Sequence, residues 1–318
     1  GLGSTSNPMD NLLQNNEATP HHARNVERNN CQFYSDWTHA TVTRNVDMED
    51  SLRGALAHQE LTLHYQPQVD MDNRRIVGVE ALLRWRNPLL GNVTPAEFIP
   101  LAEKTGLIVP IGEWVLRTAC TQARTWRETG LPPLRMAVNV SPRQFIGIEL
   151  VQVIARILWE TGLRPDYLEL EITESLLARD GIANILRALK RLGVRLAIDD
   201  FGAGHSNLGH LRRLPIDRIK IDKSFVRDIG GEDDDQAIAA AIIAMARGLR
   251  LDIIAEGVET ETQLAFLRAL NCHEIQGFLF SQPHPADYIT TLIRDYSKSP
   301  GPGPRPTRRA SCKTPEKT

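Results

Sequence analysis

Short segments along this chain run apolar and then end on an acid, an amide or a cation. GVEALLRW carries Glu80 and Arg84, MAVNVS carries Asn139, and LELEITES carries Glu171 and Glu174. LAIDDFG carries Asp199 and Asp200, IKIDKSF carries Lys220 and Asp222, IIAEGVE carries Glu256 and Glu259, and EIQGF carries Gln276. Carboxylates brought to one place repel each other, so something cationic must compensate. Hard oxygen ligands of this kind select Mg²⁺ or Mn²⁺. Taken singly, each residue also fits a structural role. Glu80 could reach out from a strand edge, Asn139 could cap a loop, and Glu171 could pair with an arginine. Asp199 and Asp200 could cap a helix, and Lys220 could sit in a surface ion pair. What separates the two readings is the recurrence of the pattern in segment after segment.

Those segments are the strand-like part of an alternating pattern. LTLHYQPQV (61–69) and RIVGVEALLRW (75–85), joined by the turn-like MDNR, predict an antiparallel hairpin. Strands are then predicted over 135–141, 167–173, 195–201, 218–226, 251–258 and 273–281, with helical patterns between them. Mostly parallel strands follow, and their number suits a closed α/β barrel of the TIM-like (β/α) kind. An open doubly wound sheet is the alternative, without the GxGxxG that would mark its first turn. In a barrel, strand C-termini converge on one face, where active sites are built. The polar residues above all lie towards that end.

The composition is ordinary for a globular protein: 42% apolar and 24% charged residues, with a formal net charge of -2 over 318 residues. That excludes the basic footprint of a duplex-binding protein, while a small anion could still be held by local cations. Cys31, Cys120, Cys272 and Cys312 lack any zinc or CxxC spacing, so a reducing compartment is expected, with buried thiols at two of them. The apolar helical run Ala237–Ala246 is too short to span a bilayer, and the chain reads as soluble and cytoplasmic, with no membrane contact of its own. Residues 1–46 are polar and Asn-rich, residues 47–59 read as a linker helix, and residues 60–297 as the α/β domain. The tail 298–318, rich in Pro, Gly and basic residues, is expected to be disordered.

From about Glu60 to Ile289 the sequence resembles the EAL phosphodiesterase domain, named for the tripeptide Glu80-Ala81-Leu82. YQPQV, EALLRW, TPAEFIPLAEKTGLI, NVSPRQF, ELEITES, AIDDFGAGHSNL, RIKIDKSFV, AEGVET and QGFLFSQP follow in order. The resemblance implies a modified barrel with one antiparallel strand. It implies hydrolysis of cyclic di-GMP to linear 5′-pGpG with two Mg²⁺ or Mn²⁺ ions. Glu80, Asn139, Glu171 and Asp199 match the family's first metal shell, with Asp199 bridging to a second ion that Asp200 completes. Lys220 matches the lysine on the attacking water. Glu256 matches a base or ligand, and Glu80, Lys220 and Glu256 are the catalytic candidates. Gln66, Arg84 and Gln276 match substrate-contacting positions, and Glu174 matches the glutamate that steadies the DDFG loop.

The loop GAGHSNLGHL departs from the family at His205 and Gly209, which reads either as a change in dimer packing or metal sensitivity without loss of activity or as neutral drift in a mobile loop. A homodimer through the rim beside that loop is implied. LLQNNEATPHHARNVERNNCQFYS resembles the end of a GGDEF domain, which implies an upstream GGDEF or sensor domain in a longer signalling protein; a free-standing polar N-terminal extension is the alternative. Two other readings stand beside the enzyme: a silent receptor that only binds cyclic di-GMP, and an unrelated barrel enzyme acting on a phosphorylated metabolite.

Overall fold

A computed structural model describes residue 44 and residues 47–298, apart from 147–148, 203–210, 228 and 230–232. The polar N-terminal segment, His205, Gly209 and the tail beyond residue 298 lie outside the described residues. The chain divides into two units, residues 1–54 and 55–318. In the first, a helix over 47–54 buries Met48 and Leu52, one turn apart, and pairs Arg53 with Glu49. The linker helix expected over 47–59 is helical only to 54 and then turns.

Among the described residues the second unit has nine strands: β1 Leu61–Asp70, β2 Arg75–Asn87, β3 Gly91–Val93, β4 Arg135–Asn139, β5 Leu168–Thr173, β6 Arg195–Phe201, β7 Arg218–Ile221, β8 Asp252–Ala255 and β9 Glu274–Ile275. Their order is β1-β9-β8-β7-β6-β5-β4-β2-β3, and β1 also pairs with β2. Eight strands therefore close into a barrel, and β3 is an extra strand hydrogen-bonded to β2. β1 runs antiparallel to both its neighbours, and the remaining barrel pairs are parallel. The expected barrel with one antiparallel strand is the fold observed.

β7 and β9 fall furthest short of the runs expected for them. β7 stops at Ile221 because Asp222 accepts from the Ser224 N–H at 2.9 Å and starts a helix, Lys223–Arg227. β9 stops at Ile275, where Gly277 packs against the Val258 backbone so closely that a Cβ would lie 2.1 Å from its carbonyl oxygen. The chain then turns, with the N–H groups of Phe280 and Ser281 on the Gly277 carbonyl.

Helices cover the outside by simple periodicity. Ile182–Leu192 buries Ile182, Leu186 and Leu189, spaced at three and four residues, and ends on Gly193 at φ 95°. Ile108–Glu128 buries Ile111, Val115, Ala119, Ala123 and Trp126 along one stripe. Trp126 meets Tyr65 edge-on at 5.1 Å, and Trp85 meets Phe98 at 5.5 Å. Cys120 and Cys272 are free and buried, as their apolar surroundings implied.

The interior carries charge in two layers, because residues two apart on a strand share a face. At the base, Arg218 meets Glu169 at 3.2 Å and Glu274 at 2.6 Å, although β6 lies between β7 and β5. Arg135 meets Glu169 at 3.1 Å and Glu274 at 2.5 Å, and Arg195 meets Glu169 at 3.2 Å and Asp252 at 2.5 Å. Burial alone would raise the Glu274 carboxyl, but Arg218 and Arg135 hold it down at about 2. With an ordinary value of 4.5, its ionised form stabilises the fold at neutral pH by about 3 kcal/mol. That contribution is fully present above 4.5 and is lost as pH falls towards 2. Acid titration of unfolding should show this limb, and Glu274→Gln should flatten it. An unchanged limb in that variant would assign acid sensitivity elsewhere.

Candidate active site

Two or four residues further along the chain from those strand positions, the second layer forms the barrel mouth. Lys220, on β7, is 1% exposed and lies at the centre. Its Nζ is 2.7 Å from Glu256 Oε1, 2.8 Å from Glu171 Oε2, 2.9 Å from Asp199 Oδ1 and 3.5 Å from Glu80 Oε2. Asn139 Nδ2 donates to Glu80 Oε1 at 2.6 Å, and Gln276 Nε2 donates to Glu80 Oε2 at 2.5 Å and to Gln66 Oε1 at 3.0 Å. Of the strand-end residues read from the sequence, Glu80, Asn139, Glu171, Asp199, Lys220, Glu256 and Gln276 therefore converge in space.

Local structure explains the placement. Ser141 and Gln144 cap a short turn over Pro142–Phe145, with Ser141 N–H on Gln144 Oε1 at 3.0 Å. Gln144 fits because Gly112 faces it; a Cβ there would lie 2.3 Å from the amide nitrogen. This turn, with Val140 N–H on the Glu171 carbonyl at 2.9 Å, fixes the end of β4 behind Asn139. β6 carries a register shift between Ile198 and Phe201, and Asp200 takes φ 51° there, so the paired aspartates leave the regular ladder. Glu174 Oε2 accepts from Gly202 N–H at 3.1 Å, at the entrance to the loop that contains His205. Gly202, at φ 102°, is packed so that a Cβ would lie 2.8 Å from Phe225.

One ammonium cannot satisfy the surrounding acids. Burial disfavours charge on Lys220, but Asp199, Glu171, Glu256 and Glu80 hold its pKa well above the usual value. Glu171 is raised well above its ordinary value by burial and by Glu80. Burial and Asp199 push Glu256 up to about 8 despite Lys220, and burial with Asp199 and Asp222 brings Asp200 to about 6. Glu80 runs the other way: burial is outweighed by Lys220 and the amides of Gln276 and Asn139. Glu171, Glu256 and Asp200 are thus pushed towards the neutral form for want of positive charge. Both Glu171 oxygens and Asp199 Oδ1 are sealed from solvent with no donor in line, even though Lys220 lies within 3 Å. Carboxylate oxygens of Asp199, Asp200 and Glu256 lie within 4.8 Å of one another. This donor set fits a hard divalent cation.

Beside the cluster lies a cavity of about 240 Å³ walled by Ile99, Ile108, Ile111 and Val115 and edged by Arg84, Glu103, Asn139 and Glu171. Arg84 thus lines the cavity, and one of its Nη atoms donates to the Leu83 carbonyl at 2.9 Å. Two residues with evident parts in the site were not singled out from sequence. Gln68 bonds Gln276, and Glu103 accepts from Ser141 Oγ at 2.7 Å. Strand alternation could have found Gln68, because it shares a face with Gln66.

A model of the EAL domain matches residues 49–283. The chain belongs to the EAL domain family. It is 45% identical over 284 residues to the Pseudomonas aeruginosa bifunctional diguanylate cyclase/cyclic di-GMP phosphodiesterase MucR, covering 89% of this chain and 42% of that protein. It is 42% identical over 303 residues to the cyclic di-GMP phosphodiesterase NbdA of the same organism, covering 95% and 39%. The chain thus spans about two fifths of the length of these curated relatives. Among solved structures, the PaMucR phosphodiesterase in complex with c-di-GMP superposes with a TM-score of 0.74 at 48% identity, covering 76% of this chain and 99% of that one. The EAL enzyme Bd1971 in its cAMP-bound form gives 0.75 at 29% identity, covering 89% and 77%. No described helix of this EAL chain is long and apolar enough to cross a membrane.

Proposed function

We propose that this EAL chain hydrolyses cyclic di-GMP to linear 5′-pGpG at the barrel mouth. The observation that carries the reading is the meeting of Glu80, Glu171, Asp199 and Glu256 on Lys220, within a family whose similar members are named for this activity. Glu80, Asn139, Glu171 and Asp199 would hold one Mg²⁺ or Mn²⁺, and Asp199 with Asp200 a second. Such ions supply charge neutralisation on the attacked phosphate and an acidified water. Lys220 has three donors and no acceptor, so it orients the attacking water through the water's oxygen. Glu256, 2.7 Å from Lys220, takes the proton the water loses. Water adds to phosphorus, the P–O3′ bond breaks, and the proton passes to the leaving oxygen. Arg84 at the cavity edge suits a phosphate oxygen, Gln66 and Gln276 bear on the dinucleotide from β1 and the end of β9, and the aliphatic cavity walls suit the flat face of a guanine. Glu174 holds the DDFG loop through Gly202.

Three further attributes belong to the same proposal. They are a homodimer joined beside the DDFG loop, an upstream GGDEF or sensor domain, and a cytoplasmic setting in which the doubly anionic messenger is the partner. The length of the relatives and the bifunctional name of MucR support the second. A monomeric mass at micromolar concentration would remove the first.

Binding and turnover measured side by side test the function. Wild type should convert cyclic di-GMP with Mg²⁺ or Mn²⁺, and Glu80→Ala should bind it with turnover reduced by about 10²-fold or more. Binding by the wild type without product under either metal would make the chain a receptor.

A further inference from the structure

A row of side-chain amides crosses the barrel between its two charged layers. Arg135 Nη2 donates to Gln68 Oε1 at 3.1 Å, and Gln68 Nε2 donates to Gln276 Oε1 at 3.1 Å. Gln276 Nε2 donates to Glu80 Oε2 at 2.5 Å and to Gln66 Oε1 at 3.0 Å, and Gln66 Nε2 ends the row on the Ser281 carbonyl at 3.1 Å. Gln68 is fully buried and Gln276 is 4% exposed, so neither amide can turn to water.

A primary amide can sit either way round, so the sense of such a row needs a cause. Arginine has donors and no acceptor. Arg135 therefore compels Gln68 to face it with oxygen, which leaves the Gln68 NH₂ for Gln276. The Gln276 oxygen is then taken, and its NH₂ must face Glu80 and Gln66. An ionised Glu80 only accepts, so the far end demands the same sense. Arg135 is itself fixed by Glu169 and Glu274 at the base. The backbone also makes room: Gly78 is the register partner of Gln68, and a Cβ there would lie 2.7 Å from Gln68 Oε1.

We propose that Gln68 is a positioning residue for the site: it passes the orientation set by Arg135 to the Gln276 amide and so fixes Glu80 and Gln66. The inference rests on the functional reading above. Gln68 touches neither substrate nor metal and acts through Gln276. Partners at this remove, when lost, typically reduce activity 10–100-fold.

Two variants and two readouts test it on the full chain. Gln68→Met keeps the volume and loses both bonds; Gln68→Glu keeps the acceptor for Arg135 and loses the donor for Gln276. Each variant, assayed below its melting transition, should lose roughly 10–100-fold in kcat/KM, because Gln276 is free to turn in both. If Gln68 only tethers Arg135, Gln68→Glu keeps wild-type turnover, and the proposal is overturned. The second readout needs no activity: exchange of the Gln276 side-chain amide protons by NMR in glutamine-labelled protein, the signal assigned by its loss in Gln276→Glu. The proposal expects slow exchange in wild type and fast exchange in Gln68→Met. Fast exchange in wild type, or equal protection in both, overturns it. A wild type without turnover but with this exchange pattern would reject the assigned reaction and leave the positioning role standing.

Discussion

Glu169→Ala is expected to destabilise the barrel by about 3–5 kcal/mol, as loss of one partner from a buried ion cluster does. Glu169 is fully buried and lies 3.1–3.2 Å from Arg135, Arg195 and Arg218. The contacts from Arg135 and Arg218 lack hydrogen-bond angles, while Arg195 Nε donates to Glu169 Oε2, so the attraction is largely Coulombic and falls on one carboxylate. Arg218 is also fully buried; burial works against its charge, and Glu169 and Glu274 outweigh it. Without Glu169, three guanidinium groups would share Glu274 and the exposed Asp252. For a domain of this size the melting temperature should fall on the order of 10 °C. Glu169→Gln should lose nearly as much, because the shape is kept and the charge is not. Melting of either variant within about 2 °C of wild type would show that the cluster relaxes or admits water.

Lys220→Met should lower turnover of cyclic di-GMP by about 10²–10³-fold, the scale of losing one preorganised charged donor. It should also couple stability to divalent cations. Among the described residues, Lys220 is the cation within 3.5 Å of Glu80, Glu171, Asp199 and Glu256. In chelator the variant holds those acids together with nothing between them, and it should melt well below wild type. Adding Mn²⁺ should restore more stability to the variant than to wild type, because a ligand that binds only the folded state stabilises it by mass action. Equal metal response in both proteins, or wild-type turnover in the variant, would contradict the arrangement described for the mouth.

The mouth was legible in the sequence because its residues fall where apolar runs end, a position that a barrel turns into a common face. The base was not. Glu169, Arg218 and Glu274 stand at strand starts, where a charge reads as a solvated end; only closure brings β5, β7 and β9 together across the interior. Alternation held the clue, since Glu169 and Glu171, Arg218 and Lys220, and Glu274 and Gln276 are each two apart. Gln68 was passed over beside Gln66 for the same reason. Strand lengths failed where local chemistry outweighs apolar character. Asp222 caps a helix inside the run 218–226, and Gly277 ends β9 through a contact with Val258 that lies far from it in sequence. The barrel, its antiparallel β1 and the family were readable because they rest on patterns that span most of the chain.

The most direct test of the central claim is a chromatographic time course of cyclic di-GMP with the purified chain, run with Mn²⁺ or Mg²⁺ and again with excess chelator. The account predicts loss of cyclic di-GMP matched by accumulation of linear pGpG with metal, and neither in chelator. Unchanged cyclic di-GMP with both metals, by a chain that is folded and binds it, would contradict the account.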